Sequence, residues 1–286
     1  MRTPGQHWDP NSGFGEYLGK ELPLERIRAM KDQLTHEISD FTVSFILKKQ
    51  LIGSGTLVMV GDNYGILTAQ HVDELLQGKP FGLNISPDRH QFVLPEFCVE
   101  HRVVGRPQDQ GQPEVGPDLA IIKILDPQHL GTVKAFKSFY RLDGKDAAQY
   151  LSEGARRMPW WIAGAPASFA VSEGAIESPD HTLGVTHFHG EASFEGIAGR
   201  GDYDLLTMRI STVDAGFPEQ YGGVSGGGIW FSTFLMDEPG AFDTMKYEAP
   251  FLMGVAFCQG PPGDERMIVG HGPDSIYRLA LSHLNR

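Results

Sequence analysis

Apolar positions along the chain follow two periods. Between Glu21 and His36 they fall at Leu22, Leu24, Ile27, Met30 and Leu34. Steps of three and four residues put these side chains on one helical face and predict a short N-terminal helix. Beyond it come short apolar or alternating runs separated by Gly, Pro, Asn and Asp. They predict strands over 41–49, 52–60, 63–69, 81–86, 91–104 and 118–125. Residues 131–157 read as mixed helix and loop. A second series of strands is expected near 159–164, 168–176, 182–195, 204–211, 227–234, 249–258 and 266–270, followed by a helix over 275–285 that partly buries Leu279, Leu281 and Leu284. Residues 1–20 are glycine-rich, polar and expected to be irregular. Two runs of strands with helices only at the periphery predict an all-β chain.

Three short motifs carry chemistry. In Tyr221-Gly222-Gly223-Val224-Ser225-Gly226-Gly227-Gly228 a lone serine stands among glycines just before an apolar run. Residues without a β-carbon let bare backbone N–H groups come close to a reacting carbonyl. In Gly65-Ile66-Leu67-Thr68-Ala69-Gln70-His71 an apolar strand delivers a histidine through a turn of small residues. In Pro117-Asp118-Leu119-Ala120-Ile121-Ile122 an aspartate opens a strongly apolar strand. Taken singly, each has a plain structural explanation: a loop serine, a capping histidine, a turn aspartate. Taken together, in the order His, Asp, Ser, they form a nucleophile, a base and an orienting acid in the order of the chymotrypsin class.

The chain therefore resembles the trypsin-like (chymotrypsin-fold) serine proteases, over roughly residues 40 to 286, and is most like intracellular and bacterial members. The resemblance implies two six-stranded Greek-key β-barrels with N- and C-terminal helices at the periphery. Residues 1–38 would form an N-terminal extension, 39–130 the first barrel with His71 and Asp118, 131–158 a linker, and 159–286 the second barrel with Ser225 and the closing helix. It also implies roles. Ser225 attacks, His71 takes and returns its proton, and Asp118 holds the imidazole, while the N–H groups of Gly223 and Ser225 form the oxyanion hole. The strand containing Ala256, Phe257 and Cys258 would pair with substrate backbone. The implied function is a serine endopeptidase acting on protein or peptide substrates through an acyl-enzyme, regulatory and narrow in range. A protein-binding module that uses the groove without turnover is the alternative.

Two departures from the family pattern bear on regulation and specificity. Digestive members carry an aspartate before the serine, which pairs with the amine freed by propeptide cleavage. Val224 stands there, so that switch is not expected. The glycines around Ser225 suggest a loop that a regulatory protein partner could order. Six residues before the serine, Glu219 marks the expected pocket base, with Asp274 on another wall. Two acids there would favour Lys or Arg before the cut, and His271 is the rival pocket residue.

Composition narrows the partners. The formal net charge is −12, which repels phosphate backbones and argues against nucleic acid. No run approaches the ~18 apolar residues of a membrane span, and Met1–Trp8 lack the apolar core of a signal peptide. There are only two cysteines, Cys98 and Cys258, expected in different barrels. That fits a reducing, cytoplasmic location better than secretion. His181, His187 and His189 are clustered in sequence, but no cysteine or carboxylate joins them at ligand spacing. No metal or other cofactor is expected.

Overall fold

The N-terminal apolar stripe runs on past His36. In the computed structural model, which describes residues 24–85, 91–105, 117–144, 151, 159–173, 182–210, 220–235, 246–260 and 266–286, helix α1 spans Leu24–Phe41. Ile38 continues the face begun by Ile27, Met30 and Leu34, and all four are buried. Phe41, which the sequence assigns to a strand, instead ends the helix and stacks on Trp230 with ring centroids 5.5 Å apart. No described helix is long and apolar enough to cross a membrane.

Strands β1 (Thr42–Leu47), β2 (Gln50–Val60), β3 (Asn63–Thr68), β4 (Phe81–Asn84), β5 (Gln91–Leu94), β6 (Val99–Gly105), β7 (Leu119–Ile124) and β8 (Tyr140–Arg141) form one sheet. Its order is β5-β4-β1-β2-β3-β7-β6, with β8 added in parallel to β2. Helix α2 (Gln70–Leu76) follows β3, and α3 (Pro127–Phe136) follows β7. The expected strand 91–104 is broken. Pro95 has no N–H to give a ladder, and a 3₁₀ turn over Glu96–Cys98 separates β5 from β6. These two strands end the sheet on opposite sides yet lie next to each other in sequence. The sheet therefore curls back on itself as a half-barrel of eight strands, where six were expected.

The second half does have six. Strands β9 (Trp160–Gly164), β10 (Ala170–Glu173), β11 (Thr182–Val185), β12 (Phe188–Arg200), β13 (Tyr203–Ile210), β14 (Gly228–Leu235), β15 (Lys246–Gln259) and β16 (Met267–His271) follow in sequence. Of these, β12-β13-β16-β15-β14-β9 close a barrel. The expected strand 168–176 and the first part of 182–195 leave it as the separate ribbon β10–β11. A 3₁₀ turn at Ala167–Phe169, after Pro166, leads the chain away from the barrel wall. Along β13 every second residue (Asp204, Leu206, Met208, Ile210) is buried, as a one-sided strand requires.

Each half has its own core, built on Phe45, Leu57, Ile66 and Ile122 in the first and on Trp160, Leu206, Ile229 and Met253 in the second. A third cluster lies between them and joins Val58, Ile121, Trp161, Trp230 and Leu252. Leu34 and Ile38 of α1 belong to this cluster, so the helix packs on the junction of both halves rather than on the first alone. The C-terminal helix, π-wound over Ser275–Ala280 and then α4 (Leu281–Asn285), reaches it through Ile276, Ala280 and Leu284. A closed barrel facing a curled half-barrel, with helices at both termini, is the trypsin-like fold.

Candidate active site

The register of β3 against β7 brings the first two motifs together, with Thr68 opposite Ala120. The chain leaves β3 at Thr68 and enters α2 with His71 in its first turn, where backbone N–H groups lack an intrahelical carbonyl. Asp118, just ahead of β7, supplies the acceptor. Its Oδ1 takes the His71 backbone N–H at 2.9 Å, and its Oδ2 lies 2.5 Å from His71 Nδ1. Asp118 is fully buried, while the His71 side chain is 43% exposed. A carboxylate beside Nδ1 keeps the ring hydrogen there and leaves the lone pair of the neutral ring on Nε2.

Beneath this pair lies His271. The Asp118 N–H donates to its Nε2 at 2.9 Å, and its ring packs against Phe257 with centroids 5.0 Å apart. His271 is fully buried. Burial pushes its pKa down to about 4, against the opposing pull of Asp118 and Asp204. It is thus an interior support for Asp118 and does not fit the expectation of a pocket histidine.

The serine loop hangs from hydrogen bonds at almost every peptide. The Gly222 carbonyl accepts from Ala167 N–H at 2.7 Å, and the Val224 carbonyl from Gly227 N–H at 2.8 Å. In a trans peptide the N–H points opposite to its C=O. The N–H groups of Gly223 and Ser225 are therefore turned the other way, and among the described residues neither has an acceptor. Gly223 has φ +94° and Gly226 φ +89°, a region that side chains disfavour. A β-carbon on Gly226 would also overlap the Ser54 carbonyl. Ser54 adds two further bonds to the turn, to the Gly223 and Ser225 carbonyls. Val224 is buried in the barrel core beside Trp160 and Ile162, an apolar setting with no place for an ammonium group.

The Ser225 hydroxyl donates to the Phe257 carbonyl at 3.2 Å rather than to His71. Ala256 exchanges backbone bonds with the loop, to Gly226 N–H at 2.7 Å and Gly227 carbonyl at 2.8 Å. Strand β14 begins opposite Val255. Phe257, Cys258 and Gln259 therefore extend beyond it, with Cys258 opposite Val269 and Gln259 opposite Ile268 of β16. Cys258 is half-buried, and neither cysteine, one in each half, is in a disulfide. Glu219 and His181 lie outside the described residues. Asp274 turns outward: its carboxylate sits 2.8 Å from Arg278 Nη2 and is 55% exposed. An acid already held by its own arginine, on an exposed face, does not fit the expected pocket wall.

Sequence reasoning missed Ser54. On β2, it donates N–H to the Ser225 carbonyl at 2.8 Å and Oγ–H to the Gly223 carbonyl at 2.7 Å. Its Oγ also accepts from Ala165 N–H at 2.8 Å, and its carbonyl from Thr68 Oγ1 at 2.8 Å. One residue of the first half thus holds the serine loop, β9 and the end of β3. The signal was the Gly53-Ser54-Gly55 triplet, whose glycines allow close approach: a β-carbon on Gly53 would meet Val72 and the Ser225 carbonyl. Elsewhere, His187 is bonded to Ser44 Oγ at 2.8 Å. His187 and His189 line a cavity of about 480 Å³ with Asp40, Asn84 and Lys137, away from the His71–Asp118 pair.

No family model matches the chain, and no curated protein sequence matches it. Solved structures resemble it in outline. The serine protease domain of the Sesbania mosaic virus polyprotein shares 16% identity at a TM-score of 0.43, covering 84% of this chain and 92% of that one. Neuropsin, a serine protease of mouse brain, shares 14% at 0.48, covering 87% and 95%. Human heparin binding protein shares 12% at 0.48, covering 86% and 92%. Likeness at this level concerns the fold alone, and the site is argued from its own residues.

Proposed function

We propose that the chain is a serine endopeptidase in which Ser225 attacks a peptide carbonyl, His71 serves as base and then acid, and Asp118 orients His71. The observation that carries this reading is the buried Asp118 carboxylate accepting both N–H groups of His71. That arrangement leaves a basic lone pair on Nε2, the form a general base must have. In this reading the unengaged N–H groups of Gly223 and Ser225 receive the developing oxyanion. Each donor of this kind typically contributes about 3–4 kcal/mol to the transition state. The β15 segment Phe257–Gln259, beyond the start of β14, pairs with extended substrate backbone. A substrate N–H bonding to the Phe257 carbonyl displaces the Ser225 hydroxyl and frees it to turn to His71. Partners are protein or peptide substrates. Preference for Lys or Arg before the cut rests on Glu219 alone, because Asp274 is held by Arg278.

A serine-directed fluorophosphonate tests the proposal. It should label Ser225 in the wild type and fail to label both Ser225→Ala and His71→Ala. Labelling that survives His71→Ala unchanged would show that the imidazole does not activate the serine. One observation favours the second reading, a protease-like binding module: the serine hydroxyl is bonded to Phe257 and not to the base. Such a module would bind peptides along β15 and resist the probe.

A further inference from the structure

Asp126 and His129 stand three residues apart, Cys98 lies 31 residues before His129, and the β6–β7 ladder brings all three together. Val99 pairs with Ile124, and Leu125 N–H donates to the Cys98 carbonyl at 2.8 Å. This fixes the 3₁₀ turn that ends at Cys98 against the first turn of α3. Cys98 Sγ lies 3.4 Å from His129 Nδ1, and His129 Nδ1 lies 2.6 Å from Asp126 Oδ2. All three donor atoms fall within 4.8 Å of one another, and these are the group of this kind found among the described residues.

Hydrogen bonding alone leaves this arrangement incomplete. Asp126 caps α3 by accepting the His129 backbone N–H at 2.8 Å, which accounts for the carboxylate. It does not account for the ring turning back or for the thiol beside it. Nδ1 holds either one hydrogen or one lone pair. If its hydrogen goes to Asp126, the ring lone pair is on Nε2, 4.0 Å from Cys98 Sγ, and the thiol has only that long contact to donate to. If Nδ1 accepts from the thiol, it meets the carboxylate with lone pair against lone pair. Three electron-pair donors therefore converge within 4.8 Å of one another, an arrangement that a cation would satisfy at all three points.

We propose that Cys98, Asp126 and His129 bind one divalent transition-metal ion of the zinc type. A thiolate, an imidazole and a carboxylate suit zinc in both softness and geometry. Zinc bonds of about 2.0–2.3 Å at tetrahedral angles set donor-to-donor edges of about 3.3–3.6 Å. The Sγ–Nδ1 edge already has that length. Asp126 must withdraw by about 0.7 Å, and the His129 ring must turn its Nδ1 toward the thiol, because Sγ also lies 4.0 Å from Nε2. Cys98 is fully buried, whereas the His129 and Asp126 side chains keep 23% and 34% exposure. The ion is thus reachable from one side, and water takes the fourth position. The site lies at the far end of β7 from Asp118, about 20 Å away at ~3.3 Å per residue. The metal therefore braces the β6–β7–α3 corner and takes no part in chemistry at Ser225, so this inference is independent of the proposed activity.

Cobalt(II) is the probe. Added to the full chain after chelator treatment, it should bind one equivalent, give a thiolate-to-cobalt charge-transfer band in the near ultraviolet and tetrahedral visible bands, and be displaced by zinc. Cys98→Ser should abolish the charge-transfer band, and Cys258→Ser should keep it. His129→Gln, at a partly exposed position that folding tolerates, should weaken cobalt binding by 10-fold or more even if the Cys98 variant folds poorly. A wild type without the band, a band lost with Cys258→Ser, or cobalt affinity unchanged in His129→Gln would overturn the site.

Discussion

Lowering the pH should unfold this protein through His271. Its ring is fully buried, and its Nε2 accepts the Asp118 N–H at 2.9 Å, a bond that an imidazolium cannot accept. Burial holds its folded-state pKa at about 4, against ~6.5 for an ordinary histidine. The folded state therefore binds the proton more weakly than the unfolded state. Above pH ~6.5 the ring is neutral in both states and stability is complete. As pH falls from there toward about 4, the unfolded chain takes up a proton that the folded protein refuses, and stability drains away. The slope for one such group approaches ~1.4 kcal/mol per pH unit, and the whole window contributes ~3 kcal/mol. The measurement is urea unfolding followed by tryptophan fluorescence at several pH values between 7.5 and 4.5, for wild type and His271→Gln. Glutamine can accept the same N–H but does not titrate. The variant is expected to be less stable at pH 7.5 and to show a slope shallower by about one proton. Equal slopes in the two proteins would refute the assignment and leave the acid sensitivity to His187 and His189, which burial pushes down to about 3 and about 4.

Four further outcomes are expected. Ser54→Ala should cost ~1–3 kcal/mol, because the buried Ala165 N–H loses its acceptor, and fluorophosphonate labelling should slow as the Gly223 carbonyl loses its donor. Gly226→Ala should destabilise by at least ~2 kcal/mol, since φ +89° and overlap with the Ser54 carbonyl act together; an unchanged urea midpoint would contradict the loop geometry. Deleting residues 1–20 should leave labelling of Ser225 intact, because Val224 is buried in apolar core and offers a new terminal amine no partner. If Glu219 reads the substrate, Glu219→Gln should lower kcat/KM for Lys and Arg peptides while phosphonate labelling persists; a library profile favouring acidic or large apolar residues before the cut would remove Glu219 from that role.

What the sequence disclosed was local. His71 follows the strand that delivers it, Asp118 precedes β7, and Ser225 stands among its glycines, so short windows sufficed to propose all three as candidates. Strand boundaries failed where a single residue overrode periodicity, as Pro95 does between β5 and β6. The ribbon β10–β11 reads like a barrel strand because its composition is strand-like; only its pairing sets it apart. Phe41 was assigned to a strand because an aromatic beside Thr42 and Val43 fits either period, and its stacking on Trp230 is invisible along the chain. Ser54 and His271 were misread for the same reason. Their partners, Gly223 and Asp118, lie 169 and 153 residues away, and no periodic signal spans such distances.

Ser54 has a consequence for the order in which the protein comes into being. The loop that carries Ser225 owes its shape to a residue made early in synthesis, and His71 and Asp118 are made before the loop as well. A ribosome releasing the chain would present the serine after both of them, and Ala256 and Phe257, which also bond its loop, later still. The second half alone would lack the two bonds by which Ser54 holds the Gly223 and Ser225 carbonyls. In the proposed reading, a hydrolase assembled in this way would stay silent as a fragment and during its own emergence. It would gain the ability to cut only when β2 and the glycine loop have closed on each other, and it would be spared cleavage of its own unfinished copies.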